Sequence, residues 1–283
     1  MTPAMHNTVL SLQSLPAMPE TARKILSIEL ATDRGNELLL RLIEKDLAIS
    51  ARVIGLANSP LFGSSRKIMT IGDAATVLGI KRVKMVALGF AMMSSVTRNP
   101  PGLLNVLQLW QHSMAVALAM DALSAAMPQK MRPPNEEIYL AGLLHDIGFL
   151  VLEYVDPDLS NRFHASLANV GSLHDTELEA QMLEINHCEL GALLAEQWNL
   201  AESIVAVLRY HHANFTAQNL ASHTLVAMTN LAEKLLPTFG MSEDDSLEIS
   251  ADEWLSLGIM EAQIASVEAA MRLRASEIGS AFL

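Results

Sequence analysis

The stretch Tyr139-Leu140-Ala141-Gly142-Leu143-Leu144-His145-Asp146-Ile147-Gly148-Phe149-Leu150-Val151-Leu152-Glu153-Tyr154-Val155 sets an imidazole and a carboxylate side by side inside an otherwise apolar run. Glu136 and Glu137, just after the turn-like Met131-Arg132-Pro133-Pro134-Asn135, suit the positive end of a helix that carries this run. A buried polar pair has to be satisfied by partners. The run predicts a helix.

Working outward, the chain has 283 residues, 51% of them hydrophobic and only 5% aromatic, with few glycines and prolines. That mixture, rich in Ala, Leu and Met, suits helices better than sheets, and an all-α protein with a large core is expected. The formal net charge of −12 opposes nonspecific attraction to phosphate backbones, so nucleic acid is not an expected partner. Cys188 is the single cysteine, which excludes an intrachain disulfide and suits a reducing compartment. The segment MTPAMHNTVLSLQSLP has no basic leader followed by an apolar core, and Val86–Val96 is too short to span a bilayer. These features predict a cytoplasmic protein with no membrane insertion.

Before the central run, helical spacing is seen in Glu20–Leu30, Glu37–Glu44 and the segment capped by Asp46, with Asp33-Arg34-Gly35-Asn36 as a break and Asn58-Ser59-Pro60 as a stop. Thr70-Ile71-Gly72-Asp73 resembles a capping box, opening a short helix that Gly79 ends. Another helix starts near Ile80, and Arg98-Asn99-Pro100-Pro101-Gly102 marks a boundary and hinge candidate. Beyond it, helices are expected at Leu103–Met127, Asp175–Ile185, Cys188–Trp198, Glu202–His211 and Leu220–Leu236. The polar Ser242-Glu243-Asp244-Asp245 precedes a last amphipathic segment, Asp252–Ile278.

An ordered series of phrases, from Leu15 to Leu236, resembles the HDOD family, which is related to the HD superfamily of metal-dependent phosphohydrolases. The phrases are Leu15-Pro16-x-x-Pro19, Glu44-Lys45-Asp46-x-x-Ile49-Ser50-Ala51-Arg52-Val53, Ala57-Asn58-Ser59, Ala74-Ala75-x-x-Leu78-Gly79, Trp110-Gln111-His112-Ser113, Ala141 through Gly148, His187-x-x-x-Gly191 and His211-His212. The resemblance implies an N-terminal helical bundle (1–100) packed on an HD-like helical domain (101–240), followed by a C-terminal helical extension (241–283). It also implies a bacterial signal-transduction module, since HDOD proteins are generally regarded as regulatory.

By the same resemblance, His112, His145 and Asp146 occupy three positions of an HD metal site, and Asn230 stands where a final Asp is expected. Imidazoles plus a carboxylate suit a divalent cation such as manganese, iron, magnesium or zinc, with positions left open for water and substrate. An amide at Asn230 lacks the full charge of a carboxylate. His187, His211 and His212 resemble extra ligands of the HD-GYP subclass and mark a second candidate site. Ala213 and Phe149 depart from that subclass, where an acid and a lysine are expected, and no GYP motif occurs. No residue is therefore assigned as catalytic. The plainer alternative is a hydrogen-bonded network with no metal at all, holding helices in register.

Lys81, Arg82 and Lys84 lie near a helix N-terminus and would jointly attract an anion, such as a nucleotide or a phosphorylated partner; a solvated face is the plainer reading. The same stretch permits a helix-turn-helix, against which the acidic net charge argues. Met85, Met92 and Met93 read as core rather than as an adaptable surface. Glu177, Glu179, Glu184 and Glu189 read as solvated helix faces, and Cys188 as a small buried side chain.

The expectation is a noncatalytic regulatory module that binds a signalling protein or a small nucleotide-like ligand. The HDOD match and the C-terminal extension take up nearly all of this sequence, so a separately encoded partner is expected. The alternative is a metal-dependent phosphohydrolase or phosphodiesterase, with His112, His145 and Asp146 as ligands.

Overall fold

The computed structural model describes residues 15–63, 66–97, 99–167, 179, 182–183, 185–213, 224–236 and 248–276. Among them no strand occurs, and the chain is all-α. The first block holds α1 (Glu20–Ser27), α2 (Asp33–Glu44), α3 (Leu47–Ala57), α4 (Ile71–Leu78) and α5 (Ile80–Val96). The second holds α6 (Val106–Ala126), α7 (Asn135–Leu144), α8 (Ile147–Val155), α9 (Pro157–Leu167), α10 (His187–Gln197), α11 (Glu202–Tyr210) and α12 (Thr224–Leu235). Two helices follow, α13 (Ala251–Ser256) and α14 (Glu261–Ser276). Glu177, Glu184, Ser242–Asp245 and most of the helix expected at Asp175–Ile185 lie outside the described residues.

Caps set the helix starts. The Asp46 carboxylate accepts from the backbone N–H groups of Ala48 and Ile49, and Thr70 Oγ1 accepts from Asp73 N–H, so α3 and α4 begin where the sequence predicts. Thr32 Oγ1 accepts from Gly35 N–H at 3.1 Å, so α2 begins at Asp33, within the segment expected to be a break. Gly79 ends α4 with a positive φ of 82° but an extended ψ of 142°, and so is not the left-handed helical cap the sequence suggested.

The two blocks share one apolar core along α5. That helix is buried at Val83, from Met85 to Met93, and at Val96, packed by α1, α3, α7 and α8. Met85, Met92 and Met93 are core residues. Gly89 of α5 meets Leu143 of α7 so closely that an added Cβ would lie 2.7 Å from Leu143 Cδ1. The N-terminal segment also crosses to the second block: Trp198 Nε1 donates to the Pro16 carbonyl at 2.8 Å and Gln197 Nε2 to that of Leu15 at 3.0 Å. The loop between the blocks is held by Gly102 N–H donating to Glu153 Oε1 at 2.6 Å and Leu103 N–H to Asn161 Oδ1 at 2.7 Å.

α6 is the central helix, with α7, α12 and α14 packed around it. The C-terminal segment expected as one stretch is two helices, because Gly258 takes a φ of 73° between α13 and α14 and its Cα faces Pro128 with no room for a side chain. Among the described residues no single helix is long and apolar enough to cross a membrane.

Candidate metal centre

The run from Tyr139 to Val155 is not one helix. It breaks into α7 and α8, which meet at 42° with His145 and Asp146 at the corner. Asp146, at φ −98° and ψ 12°, leaves the helical region. In a straight helix, neighbouring side chains diverge by about 100°; the corner lets both of these point to one centre. Two glycines make the corner possible. Gly142 lies against Ala117 of α6, where an added Cβ would be 2.5 Å from its Cα, and Gly148 lies against the His187 backbone with no space for a Cβ. The close approaches bring His112, on α6, and His187, at the first turn of α10, to opposite sides of Asp146.

His112, His145, Asp146 and His211 are wholly buried, and His187 and Glu233 nearly so. Asp146 Oδ2 lies 3.0 Å from His145 Nε2 and 3.5 Å from His112 Nε2. Its other oxygen, Oδ1, lies 3.3 Å from His211 Nε2 and 3.5 Å from His187 Nε2. Glu233, on α12, closes the first half, with Oε1 3.2 Å from His112 Nε2 and 3.1 Å from His145 Nε2. His187 also stacks on Phe149, with ring centroids 4.1 Å apart, so the aromatic residue found where a lysine was expected walls the site.

Backbone and carboxylate acceptors orient the rings. His145 Nδ1–H donates to the Gly142 carbonyl at 2.8 Å, and His211 Nδ1–H to the Val207 carbonyl at 3.0 Å. His187 Nδ1 is 2.7 Å from Glu179 Oε1, while its backbone N–H donates to Glu179 Oε2 at 2.5 Å. Since a carbonyl only accepts, Nδ1 carries the proton in these rings and Nε2 turns inward. The inward nitrogens crowd: His145 and His112 approach Nε2 to Nε2 at 3.3 Å, as do His187 and His211. Both Asp146 oxygens and Glu233 Oε1 lie near these nitrogens, yet none receives an aligned hydrogen bond. Converging lone pairs on buried carboxylate oxygens are a donor set for a cation, and outer N–H groups fixed on carbonyls and carboxylates are the usual support of metal-bound imidazoles. The cluster can hold a divalent metal.

Charge in the cluster is arranged in opposed pairs. Burial works against an imidazolium at His145, but Asp146 and Glu233 outweigh it and hold the group well above the usual histidine range. Burial likewise resists ionisation of Asp146 and Glu233, yet the neighbouring histidines, His145 for the first and His112 with His145 for the second, keep both well below the carboxylate range. At His187, Cys188 and Glu179 overcome burial and raise the group. Burial pushes His211 and His212 down, toward the neutral form.

Of the residues singled out in the sequence, His112, His145 and Asp146 come together, and His187, His211 and His212 form the adjoining half with Cys188. Asn230 turns its Nδ2 to the His211 carbonyl, to which it donates at 2.8 Å. The carboxylate facing His112 comes instead from Glu233, three residues on and on the same face of α12. Sequence reading missed it because the family pattern draws attention only to Asn230. Glu179, expected on a solvated face, is wholly buried against His187, whereas Glu189 does lie outward, paired with Arg209 at 2.9 Å. The basic trio does not converge. Lys81 pairs with Glu136 at 3.0 Å, Arg82 with Asp121 at 3.1 Å, and Lys84 donates to the Ile28 carbonyl at 2.5 Å.

A family model for the HDOD domain matches residues 15–214. A Treponema pallidum (strain Nichols) protein, named only as uncharacterized, is 26% identical over 202 residues, which is 69% of this chain and 37% of that protein; the chain thus spans little more than a third of this relative's length. Among solved structures, a protein from Marinobacter aquaeolei VT8 provisionally described as a signal transduction protein aligns with a TM-score of 0.72 and 22% identity, over 98% of this chain and 66% of the other. One from Shewanella amazonensis SB2B, provisionally described as a phosphohydrolase, aligns at 0.69 and 22% identity, over 98% of both chains. At these identities the likeness is one of fold.

Proposed function

Because the chain belongs to the HDOD family, we propose that it is a noncatalytic regulatory module whose buried centre holds a divalent metal as a structural ligand while its surface engages a signalling protein or a small ligand. The metal is held by His112, His145 and Asp146, with the charge of Glu233 beside them. Bound there, a divalent cation supplies positive charge that ties α6, the α7–α8 corner and α12 together. His145 and His112 would offer the inward nitrogens; the Gly142 carbonyl fixes the His145 ring through Nδ1–H, and the Glu233 carboxylate faces the same inward nitrogens.

The observation that carries this reading is burial. A hydrolase needs coordination positions open to water and substrate, whereas His112, His145 and Asp146 have no exposed surface. A groove of about 510 Å³ lies between the N-terminal segment and α10, lined by Met18, Leu26 and Trp198 among others, and one of about 330 Å³ lies at the start of α5, beside Gly79, Arg82 and Tyr139. Neither is lined by a residue of the cluster. The cytoplasm, where a lone cysteine stays reduced, is the compartment that suits this reading.

Metal content after chelation and reloading, measured together with turnover on a panel of phosphoesters, tests the proposal. The expected result is bound metal, a raised melting temperature and no turnover. Turnover that disappears in Asp146→Asn would overturn it in favour of a metal-dependent phosphohydrolase.

A further inference from the structure

The adjoining half of the cluster differs in chemistry from the half just described. His187, Cys188, His211 and His212 each offer a ligand atom, and all four atoms lie within 4.8 Å of one another. Cys188 Sγ is 3.5 Å from His187 Nε2, which is itself 3.3 Å from His211 Nε2. An independent feature points to a ligand between them: Asp146 Oδ1, in a wholly buried side chain, faces His187 and His211 without an aligned donor. The sulfur is buried, and this chain has no second cysteine to pair with it.

We infer that Cys188, His187 and His211, with Asp146 Oδ1 facing them and His212 on the more open side, form a second, sulfur-containing site for a borderline-soft divalent cation of the zinc and cobalt class. The inference rests on the reading of the buried centre as a metal site and adds to it the identity of a ligand and the class of ion. A thiolate with imidazoles prefers such ions over magnesium, calcium or manganese, which take oxygen ligands. The first half, built from His112, His145, Asp146 and Glu233, holds only nitrogen and oxygen. The two halves therefore sort ions differently while sharing one carboxylate. On binding, a metal–sulfur bond forms and the thiol proton leaves to solvent, with no change in oxidation state.

Adjacent placement of His187 and Cys188 at the first turn of α10 is compatible with this role because the helix begins there. Asn186 caps it, accepting from Glu189 N–H at 2.9 Å, and Glu179 fixes the His187 ring from behind. Gly148, pressed against the His187 backbone, sets the depth at which this turn meets Asp146.

The test uses the whole chain, stripped with chelator under a thiol-free reductant and then titrated with cobalt(II). The expected result is a thiolate-to-cobalt charge-transfer band in the near ultraviolet that is lost in Cys188→Ser and kept in His112→Ala. In addition, Cys188→Ser should lose at least tenfold in zinc affinity, with manganese affinity unchanged. X-ray absorption at the zinc edge of the unaltered protein, where one sulfur scatterer is expected, needs no variant and covers the case in which Cys188→Ser fails to fold. Cobalt or zinc bound with no sulfur in its shell would overturn this inference and leave the proposed metal centre standing. Failure of every ion to bind the unaltered protein would overturn both.

Discussion

The Asn230 side-chain nitrogen donates to the backbone carbonyl of His211 at 2.8 Å, so the residue aligned with a metal ligand holds the turn that carries a histidine. Asn230→Asp replaces that donor with an acceptor and sets a carboxylate against a carbonyl oxygen. The expected outcome is a loss of about 1–3 kcal/mol, the usual cost of an unpaired buried polar group, with no gain in affinity for a divalent cation. Denaturant melts with and without metal read the first, and calorimetric titration with manganese and zinc the second. Tighter binding by the variant would return Asn230 to the ligand set.

Glu233→Gln removes the negative charge that faces His112 and His145. Affinity for the first metal should fall roughly tenfold or more, because an anionic oxygen facing the inward nitrogens is replaced by a neutral amide. Titration calorimetry on the chelator-stripped protein measures it. Equal affinities in the two proteins would place Glu233 outside the centre.

Gly142→Ala puts a methyl group 2.5 Å from Ala117 Cα, a contact neither helix can relieve by a rotamer change. Overpacking of this kind costs about 1–3 kcal/mol or more, and α7 would also swing His145 away from His112. A melting temperature equal to that of the unaltered protein would show that α6 and α7 are not packed this closely.

His164 gives the pH dependence a defined sign. Burial beside Phe149 and Phe163, opposed by Glu179, lowers its pKa from 6.5 to about 4, and its Nε2 has no hydrogen-bond partner. The folded state therefore holds the ring neutral while the unfolded chain takes up a proton below pH 6.5. Its contribution is intact above the unfolded value and is lost as pH falls from 6.5 toward 4, amounting to about 3 kcal/mol at 1.36 kcal/mol per unit. In chelator, stability measured between pH 7 and pH 4 should fall less steeply for His164→Leu than for the unaltered protein. Parallel curves would reject this account of His164.

Several parts of the architecture are written locally. Asp46 and Thr70 satisfy the first N–H groups of their helices through their own side chains, a contact that depends on residues two or three positions away. The helical class follows from composition, and the ordered phrases from Leu15 to His212 identify the family because they match a pattern rather than a geometry. His145 and Asp146 were visible as a site through the same phrases, since the resemblance sets them at two positions of the HD pattern. Phe149 was visible only as a departure; its role as a wall required the ring of His187, thirty-eight positions away, to be placed on it.

What the sequence by itself determined is the helical class, the caps at Asp46 and Thr70, the family and, through its pattern, the His-Asp pair. Those depend on neighbours along the chain or on pattern alone. The tertiary structure decided that the run bends between His145 and Asp146, that Glu233 rather than Asn230 faces His112, that Glu179 is buried behind His187, and that Cys188 lies beside three imidazoles. Each of these depends on how closely α6, α7, α10, α11 and α12 cross. That closeness is set by where glycines such as Gly142 and Gly148 allow backbones to touch, and no spacing within one helix records which atoms a crossing will bring within 3.5 Å.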